Sequence, residues 1–335
     1  MLESNHKKFN HLKIHSQYSI CEGALKIDEL KERAKEFKIS SLGLCDTSNL
    51  CGAVEFSDKL SKVGTQPIIG TQINFKFNDT IGLLPLFALN QDGYKKIIEL
   101  SSKSYLENDN TSVPHLNIDD LFKLKKNGIS IFSGTIFGLF GKLFDKGKFS
   151  EINDLYKKVK LTFEDKFYLE IQRHKDLNED GFEKFNLDQS KKLEIPIIAT
   201  NEVFYLTQDM HEAHDALICI GNKTYINEKN RVKYSSEHYL KNNKEMSDLF
   251  SDLPEALENN YNFPYRCSFR PLFSKPILPN ISSSNDGDAS DIIKENSFNG
   301  LKEKFLKFFN LKENELINND KFNIHIRLQT STLSS

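Results

Sequence analysis

The 335-residue sequence is poor in the features that mark membrane, exported and disulfide-stabilised proteins. No run approaches the roughly 20 consecutive apolar residues that a membrane-spanning helix needs. The amino-terminal stretch MLESNHKKFNHLKIH lacks the apolar core of an export signal. Five cysteines are present without a Cys-x-x-Cys pair, and an odd number without such a framework is typical of reduced thiols. We therefore predict a cytoplasmic location.

Motifs for nucleotide binding and for nucleophilic catalysis are also missing. The sequence contains neither glycine-rich phosphate loop, G-x-x-x-x-G-K-[ST] or G-x-G-x-x-G, and no G-x-S-x-G elbow. The formal net charge is −2, and the lysines are spread almost evenly along the chain. Because proteins that hold duplex DNA alone usually present a basic stripe, this chain is not expected to bind DNA by itself.

The sequence does contain a regular alternation of short apolar runs and helical patterns, which predicts βα units. Six or seven strands with intervening helices indicate a parallel barrel or a doubly wound sheet, and we favour the barrel-like arrangement. The predicted strands are residues 11–15, 41–45, 67–75, 83–89, 129–132, 167–171 and 195–199.

Helix signals occupy the stretches between these strands and after the last one. Asp92 can cap one helix, and Asp119-Asp120 can begin another, which ends at Asn127-Gly128. The pattern is mainly helical from about residue 207, and one more amphipathic helix is predicted at about residues 290–309.

Polar side chains that could carry chemistry follow the predicted strands. In βα barrels the loops after the strands line one rim, so these side chains are expected to converge there. The alternative is that such loops are polar only because they meet solvent. The residues are His15, Asp46, Gln72, Ser133, His174, Asn201 and Glu202.

The local patterns around these positions leave several roles open. In HLKIHSQYSICEG, His15 and Glu22 could offer a nitrogen and an oxygen to a divalent ion, or His15 could be a hydrogen-bonded structural residue. Asp46 could be a ligand, although the polar turn after it favours a helix cap. His211 and His214 in HEAHD are three residues apart, whereas the zinc-protease motif needs four, so a surface helix is predicted.

Eight stretches share their order and local sequence with one known family. They are HLKIHSQYSICEGALKI (11–27), LGLCDTSNLCGAVEF (42–56), QPIIGTQINF (66–75), DGYKKIIELSSKSYL (92–106), FYLEIQRH (167–174), PIIATNEVFYL (196–206), HEAHDALICI (211–220) and EMSDLFSDLPEALENNYNFPYRCSF (245–269). Together they resemble the PHP (polymerase and histidinol phosphatase) domain that opens DNA polymerase III alpha subunits, the C family of bacterial replicative polymerases. The resemblance implies an α/β fold, a distorted βα barrel of about seven parallel strands followed by a helical extension.

The family's intact site is a cluster of His, Asp, Glu and Cys side chains around several metal ions that hydrolyse phosphoesters. This chain departs from it at most positions: Lys13, Thr47 and Phe204 replace histidines, Gln72 replaces an acid, and Thr135 replaces a cysteine. Another histidine position falls near Leu83, while His15, Glu22 and Glu202 could still coordinate an ion. The resemblance therefore implies a vestigial site made of Lys13, His15, Glu22, Asp46, Thr47, Gln72, Thr135, Glu202 and Phe204.

These replacements favour a role without catalysis. Hard divalent ions need several oxygen or nitrogen donors, and the Lys13 ammonium puts positive charge where a cation would sit, so no metal or other cofactor is expected. The resemblance then implies a scaffold that docks the separate proofreading exonuclease subunit and joins the rest of the polymerase, which would contact DNA.

Two alternatives remain open. One is an active PHP phosphoesterase, a 3′–5′ exonuclease or a small-phosphate phosphatase, that binds Mg, Mn or Zn through His15, Glu22 and Glu202. The other is an unrelated βα-barrel enzyme, for which the polymerase-like stretch 245–269 would be a coincidence.

Lys13 suggests how the lost ions were replaced. Converging carboxylates repel each other, and burial disfavours their charged forms. A lysine ammonium can neutralise part of that charge and donate three hydrogen bonds. We therefore expect Nζ of Lys13 within about 4 Å of Glu22 or Glu202, the usual ion-pair distance.

The resemblance also predicts how the chain is divided. Residues 1–274 would form the PHP-like barrel with its helical extension, and residues 275–290, rich in Pro, Ser, Asn and Gly, would form a linker. Residues 291–320 look like the start of the palm and thumb region. Residues 321–335 lack that resemblance and are expected to be an unrelated or disordered tail, as a truncated or frame-shifted reading frame would produce.

Overall fold

A computed structural model describes residues 8–108, 113–124, 128–276 and 289–310. The chain divides into two compact units, Met1–Phe273 and Ser274–Ser335. Most of the predicted linker, the predicted tail and the predicted helix end at Asn127 lie outside the described residues. No helix in the described part of the chain is long and apolar enough to cross a membrane.

One sheet organises the first unit, with strands in the order β8-β7-β6-β4-β3-β2-β1-β9 and β5 paired to β3. It curls into a half-barrel of mostly parallel strands, which confirms the predicted α/β class. All seven predicted strands are present, and the short β5 and β9 are additional. The strands are β1 His11–Ile14, β2 Ser41–Thr47, β3 Gln66–Phe77, β4 Thr80–Ala88, β5 Leu116–Asn117, β6 Ile129–Phe132, β7 Phe167–Ile171, β8 Ile197–Ala199 and β9 Glu202–Val203.

The expected parallel order fails at β4, which runs antiparallel to both β3 and β6. The reason is the short connection after β3, where Asn78 adopts a positive φ of 51°. Two strands joined by so tight a turn form a hairpin, because a parallel neighbour needs a crossover of a dozen or more residues.

Helices connect the strands and cover the outer face of the sheet. Asp92 does not cap α3, because the Asn90 side chain accepts the Gly93 N–H at 2.9 Å. Likewise Asn117 caps α4 by accepting the N–H of Asp119. The helices of the first unit are α1 Ile27–Glu36, α2 Ala53–Ser61, α3 Gln91–Leu106, α4 Ile118–Phe122, α5 Leu139–Asp145, α6 Phe149–Phe163, α7 Glu179–Leu193, α8 His211–Asn222, α9 Asn243–Leu249 and α10 Pro254–Asn262. The helix α11 Ala289–Phe309 belongs to the second unit.

The two faces of the sheet bury different apolar clusters, because alternate residues of a strand point to opposite sides. Phe167 and Leu169 of β7 pack in the large cluster formed with the outer helices. Tyr168, between them, joins an inner cluster with Leu12 and Phe132. This inner cluster closes the interior of the half-barrel beneath the polar rim.

A bulge in β1 turns two consecutive side chains toward that interior. His11 pairs with Leu42 and Ile14 pairs with Leu44, so β1 advances by three residues where β2 advances by two. Such a bulge changes which face a side chain occupies. Leu12 accordingly lies in the inner cluster, whereas Ile14 packs outside against α1 and α2.

Gly43 of β2 accommodates the bulge, and replacing it tests this arrangement. A Cβ atom at this position would lie 2.3 Å from the carbonyl oxygen of Leu12, so the backbone of β1 would have to move. Gly43→Ala should lower the free energy of unfolding by about 1–3 kcal/mol in denaturant titrations, the range of overpacking. In Gly181→Ala the new methyl would meet only the Phe144 side chain, at 3.4 Å or more.

Gly181 lies in a helix, so Gly181→Ala should be neutral or stabilising by up to about 1 kcal/mol. Equal destabilisation by both substitutions would contradict the proposed role of Gly43.

Candidate functional site

Three charged side chains meet at the rim, Lys13 near the carboxyl end of β1, Glu170 near that of β7 and Glu202 at the first residue of β9. The Nζ atom of Lys13 lies 3.1 Å from Oε1 of Glu202 and 3.5 Å from Oε1 of Glu170. The side chains of Lys13 and Glu170 are completely buried, and that of Glu202 is 5% exposed. The sequence-based expectation of a Lys13 ion pair within about 4 Å is therefore met by Glu202.

The backbone explains this meeting. Lys13 and Glu202 are register partners across the parallel β1–β9 pair. The β1 bulge turns Lys13 inward beside Leu12, while Glu170 occupies an inward position of β7 between the outward Leu169 and Ile171. An acidic residue at an inward position of an otherwise apolar strand was the signal in FYLEI that sequence reasoning missed.

His15 extends the network from Lys13 toward the surface. Its Nε2 atom lies 3.1 Å from Oε1 of Glu202, and its Nδ1 atom lies 3.7 Å from Oε2 of Glu22. The Phe204 ring packs against the imidazole, with 4.7 Å between the ring centroids. His15, Glu22 and Glu202 are thus brought together as expected, with the apolar Phe204 ring beside them.

Mutual stabilisation of opposite charges dominates the electrostatics of this cluster. Burial alone would lower the pKa of Lys13, but the carboxylates of Glu170 and Glu202 outweigh it and raise that pKa. Burial would raise the pKa of Glu202, but Lys13 and His15 outweigh it and hold that pKa well below its ordinary value. A Lys13–Glu202 ion pair therefore persists through the neutral range.

Charge rather than directed hydrogen bonding holds the lysine. Among the described residues, Nζ of Lys13, Nδ1 of His15 and Oε2 of Glu170 are buried side-chain atoms without a hydrogen bond. Oε1 of Glu170 instead accepts from the Thr200 hydroxyl, and also from Nε2 of Gln172 at 2.9 Å. Burial raises the pKa of Glu170, opposed by Lys13.

The outer part of the site is a chain of neutral donors. The Thr47 hydroxyl donates to Oε2 of Glu22, and Nε2 of Gln72 donates to Oγ1 of Thr47 at 3.0 Å. Thr135 accepts the N–H of Phe137 at 3.0 Å. Glu22, Thr47 and Gln72 thus satisfy one another, whereas Thr135 is held by a backbone contact.

Asp46 has a different role from the predicted helix cap. Its carboxylate accepts the Ser16 N–H at 2.6 Å, the Ser16 hydroxyl at 2.8 Å and the Ser19 hydroxyl at 2.9 Å. The N-cap of α2 is Gly52, without a side-chain cap. Asp46 therefore holds the loop after β1, because a buried carboxylate needs several donors.

A small cavity lies among the rim residues. Its volume is about 20 Å³, close to that needed for a single water molecule and far below that of a hydrated ion cluster. The lining side chains come from the vestigial site and the loops around it. They are Glu22, Gln72, Leu83, Gly134, Thr135, Phe137, Gly138, Glu202, Phe204 and Tyr234.

Two stacked histidines clamp the backbone of Glu202. Its N–H donates to Nε2 of His174 at 3.1 Å, and its carbonyl oxygen accepts from Nδ1 of His238 at 3.0 Å. Nδ1 of His174 donates to Glu179 at 3.2 Å, and Nε2 of His238 donates to Asp176 at 2.9 Å. The pair thus fixes the strand position from which the Glu202 carboxylate reaches Lys13.

The donor atoms of His174, Asp176 and His238 lie within 4.8 Å of one another, close enough for one metal ion. The ring orientation does not suit an ion, because the two imidazoles are stacked 4.0 Å apart with 4° between their planes. A metal lies near the plane of each imidazole that binds it. Two parallel rings would have to turn and break their present hydrogen bonds to share one.

The other polar residues predicted at strand ends have structural partners. Oγ of Ser133 accepts the Glu170 N–H at 2.9 Å, and Nδ2 of Asn201 donates to the Tyr239 carbonyl at 2.9 Å. His214 was predicted on a helix surface but is buried, and its Nε2 donates to the Glu22 carbonyl at 2.8 Å. Packing against an aromatic ring explains this difference, since the His214 ring stacks on Phe204.

Replacing Lys13 tests whether its ammonium holds the site together. Lys13→Met should lower the free energy of unfolding by about 3–5 kcal/mol, because it leaves the Glu202 carboxylate buried without a partner. Denaturant unfolding at neutral pH measures the change. Lys76→Met, at an exposed position of β3, should change stability by less than about 0.5 kcal/mol.

Removing the Glu202 carboxylate in the same variant separates the effect of the lost charge on stability from the effect of altered packing. Glu202→Gln should recover part of the loss when added to Lys13→Met, because the stranded charge is gone. An unchanged melting temperature in Lys13→Met would refute the replacement of ions by this ammonium.

Comparison with known proteins identifies the family. Residues 11–174 match the family model of the PHP domain. The DNA polymerase III subunit alpha of Rickettsia conorii is 34% identical over 298 residues, which are 88% of this chain and 25% of that protein. The corresponding subunit of Borreliella burgdorferi is 35% identical over 285 residues, 81% of this chain and 25% of that protein.

Among solved structures, one similar to this chain is a two-domain protein from Bacteroides vulgatus that contains a predicted PHP-like metal-dependent phosphoesterase. The match covers 72% of this chain and 62% of that chain. Its sequence identity is 12% and its TM-score 0.36. This chain spans about a quarter of the length of the polymerase relatives named above. Its residues 11–174 belong to the PHP domain family, and this PHP domain is homologous to the amino-terminal part of the DNA polymerase III alpha subunit.

Proposed function

We propose that this PHP domain serves DNA replication as a scaffold without hydrolytic activity of its own. The observation that carries the proposal is the Lys13 ammonium, which is 3.1 Å from Glu202 and completely buried. It occupies with positive charge the place where a hydrolytic site would hold a cation. Metal-assisted hydrolysis needs rigidly held ions and an open coordination position.

The remaining donor set does not fit a divalent metal centre. The Phe204 ring packs on His15. Thr47 and Gln72 are hydrogen-bonded to each other, which occupies the Thr47 oxygen that an ion would need. The cavity beside these residues has a volume of about 20 Å³, which is small for several ions with their water ligands. The competing function, an active phosphoesterase, is supported by the proximity of His15, Glu22 and Glu202.

The partners in this proposal are the proofreading exonuclease subunit and the rest of the replicative polymerase. A surface groove of about 460 Å³ lies over the rim, and the described residues that line it include Glu22 but no lysine or arginine. Large apolar side chains are exposed nearby, with Ile20 at 85% and Val113 at 60%. Such a surface suits a protein partner better than a phosphate backbone.

The predicted domain division is part of the same proposal. Residues 1–274 would be the docking domain, residues 275–290 its linker, and residues 291–320 the start of the palm and thumb region. The described helix α11 supports this in one respect, because Ile293 and Phe308 on it are exposed apolar side chains of the kind that pack against other protein surfaces.

Metal retention tests the absence of a hydrolytic centre. After incubation with manganese or zinc and exhaustive dialysis, elemental analysis should find fewer than two ions per chain, because the ammonium opposes cation binding. Hydrolysis of a chromogenic phosphodiester should stay at background. Two or more retained ions, together with hydrolysis that Glu202→Gln abolishes, would establish the phosphoesterase instead.

Binding measurements test the scaffold role directly. The purified chain should co-migrate with the proofreading exonuclease subunit of the same organism in size-exclusion chromatography. At about 150 mM salt it should not bind a labelled DNA duplex with submicromolar affinity, because it lacks a basic stripe. Duplex binding at that affinity, or no association with the exonuclease subunit, would count against the proposal.

A further inference from the structure

We infer that residues 223–238, here called the strap, form a seal over the vestigial site, with Tyr234 as the plug. This inference goes beyond the scaffold role, because it concerns access to the buried charges rather than docking. The strap follows α8 and contains neither helix nor strand. Its Tyr234 lies between the open groove and the small cavity described above.

Tyr234 stands at the boundary of the two spaces. Its side chain and that of Glu22 line both the groove of about 460 Å³ and the cavity of about 20 Å³. The Tyr234 ring packs on Phe204 at 4.9 Å and on Phe137 at 5.3 Å between centroids. Removing this ring would join the cavity to the groove and open a path to Glu202.

Polar anchors hold the strap down on both sides of Tyr234. Before it, Arg231 donates two hydrogen bonds of 2.6 Å to the two carboxylate oxygens of Asp215 on α8. After it, the Ser235 N–H donates to Oδ1 of Asp176 at 3.0 Å, and His238 donates to Oδ2 of the same carboxylate at 2.9 Å. Bidentate and charge-assisted bonds of this kind are among the strongest polar contacts in proteins.

The anchors also reach the plug itself. Nε2 of His211 donates to the Tyr234 carbonyl oxygen at 3.0 Å, which fixes the backbone that carries the ring. Beyond the strap, Leu240 N–H donates to the Tyr205 carbonyl at 3.1 Å, so the chain is tied to the segment after β9. The strap is therefore attached at its middle and at its end to the elements that carry the site.

A sealed site has a physical consequence for the ion pair beneath it. Coulomb attraction between Lys13 and Glu202 is strong only where water is kept away, because water screens the charges. The Tyr234 ring and the strap anchors keep water away from this ion pair. The strap would thus protect the same charge pair that replaces the metal in the proposed function.

A thiol placed in the cavity can measure the seal. Thr135→Cys puts a reporter in the cavity wall, and a small neutral methanethiosulfonate probes its accessibility, with modification rates read by peptide mass spectrometry. The chain supplies internal standards, since Cys51 is exposed and Cys45 is buried in the inner cluster. The introduced thiol should react at least 100-fold more slowly than Cys51.

Changes to the strap should then open the cavity selectively. Adding Tyr234→Ala to Thr135→Cys should raise the reporter's rate at least tenfold, while Cys45 stays unreactive. Tyr234→Phe is the matched control and should leave the rate unchanged, because it keeps the ring. Arg231→Gln, which leaves the cavity wall intact, should also raise the rate by releasing an anchor.

Each outcome decides the inference. A reporter that already reacts as fast as Cys51 behind the intact strap would overturn it. So would an unchanged reporter rate in folded Tyr234→Ala protein. If Tyr234→Ala fails to fold, the Arg231→Gln rate decides instead. Because none of these rates involves a metal, the exonuclease subunit or DNA, failure of the seal is distinguishable from failure of the scaffold role.

Discussion

The buried contact between Lys13 and Glu202 is the constraint on which the rest of the site depends. Two charges in a protein interior are costly unless they lie close together, and here 3.1 Å separates them. The surrounding structure supplies what this contact needs. The β1 bulge turns the lysine inward, the β1–β9 register puts the glutamate opposite it, and stacked His174 and His238 hold the glutamate backbone.

The same contact connects the site to its chemistry. Burial disfavours the charged forms of the acids that lie at this rim. In this chain the Lys13 ammonium lies between Glu170 and Glu202, and the neutral side chains of Thr47 and Gln72 form hydrogen bonds beside Glu22. An ammonium has no empty orbital and no exchangeable ligand, so it can balance charge but cannot activate water as a metal ion does. This contrast is the physical basis of the proposed scaffold role.

Much of the fold could be predicted from the chain itself. Short apolar runs between helical patterns indicated all seven predicted strands, because buried parallel strands are continuous apolar segments. The polar residues that follow the predicted strands indicated where the rim lies. The stretches shared with the polymerase family indicated the family of most of the chain. The Lys13 pairing was also predictable, since a lone lysine among converging acids has few other partners that satisfy its charge.

Other features depended on contacts between distant segments. The choice of Glu170 as a second partner for Lys13, the bulge, and the burial of His214 arise from how β1, β7 and α8 pack, which local periodicity does not encode. Asp46 illustrates the same limit, because its short-range pattern is that of a helix cap while its donors come from the preceding loop. The sequence by itself determined the strands, the family and the residue types at the strand ends, through composition and local pattern. Only the tertiary structure decided which charges pair and what covers them, because those energies depend on distances across the sheet.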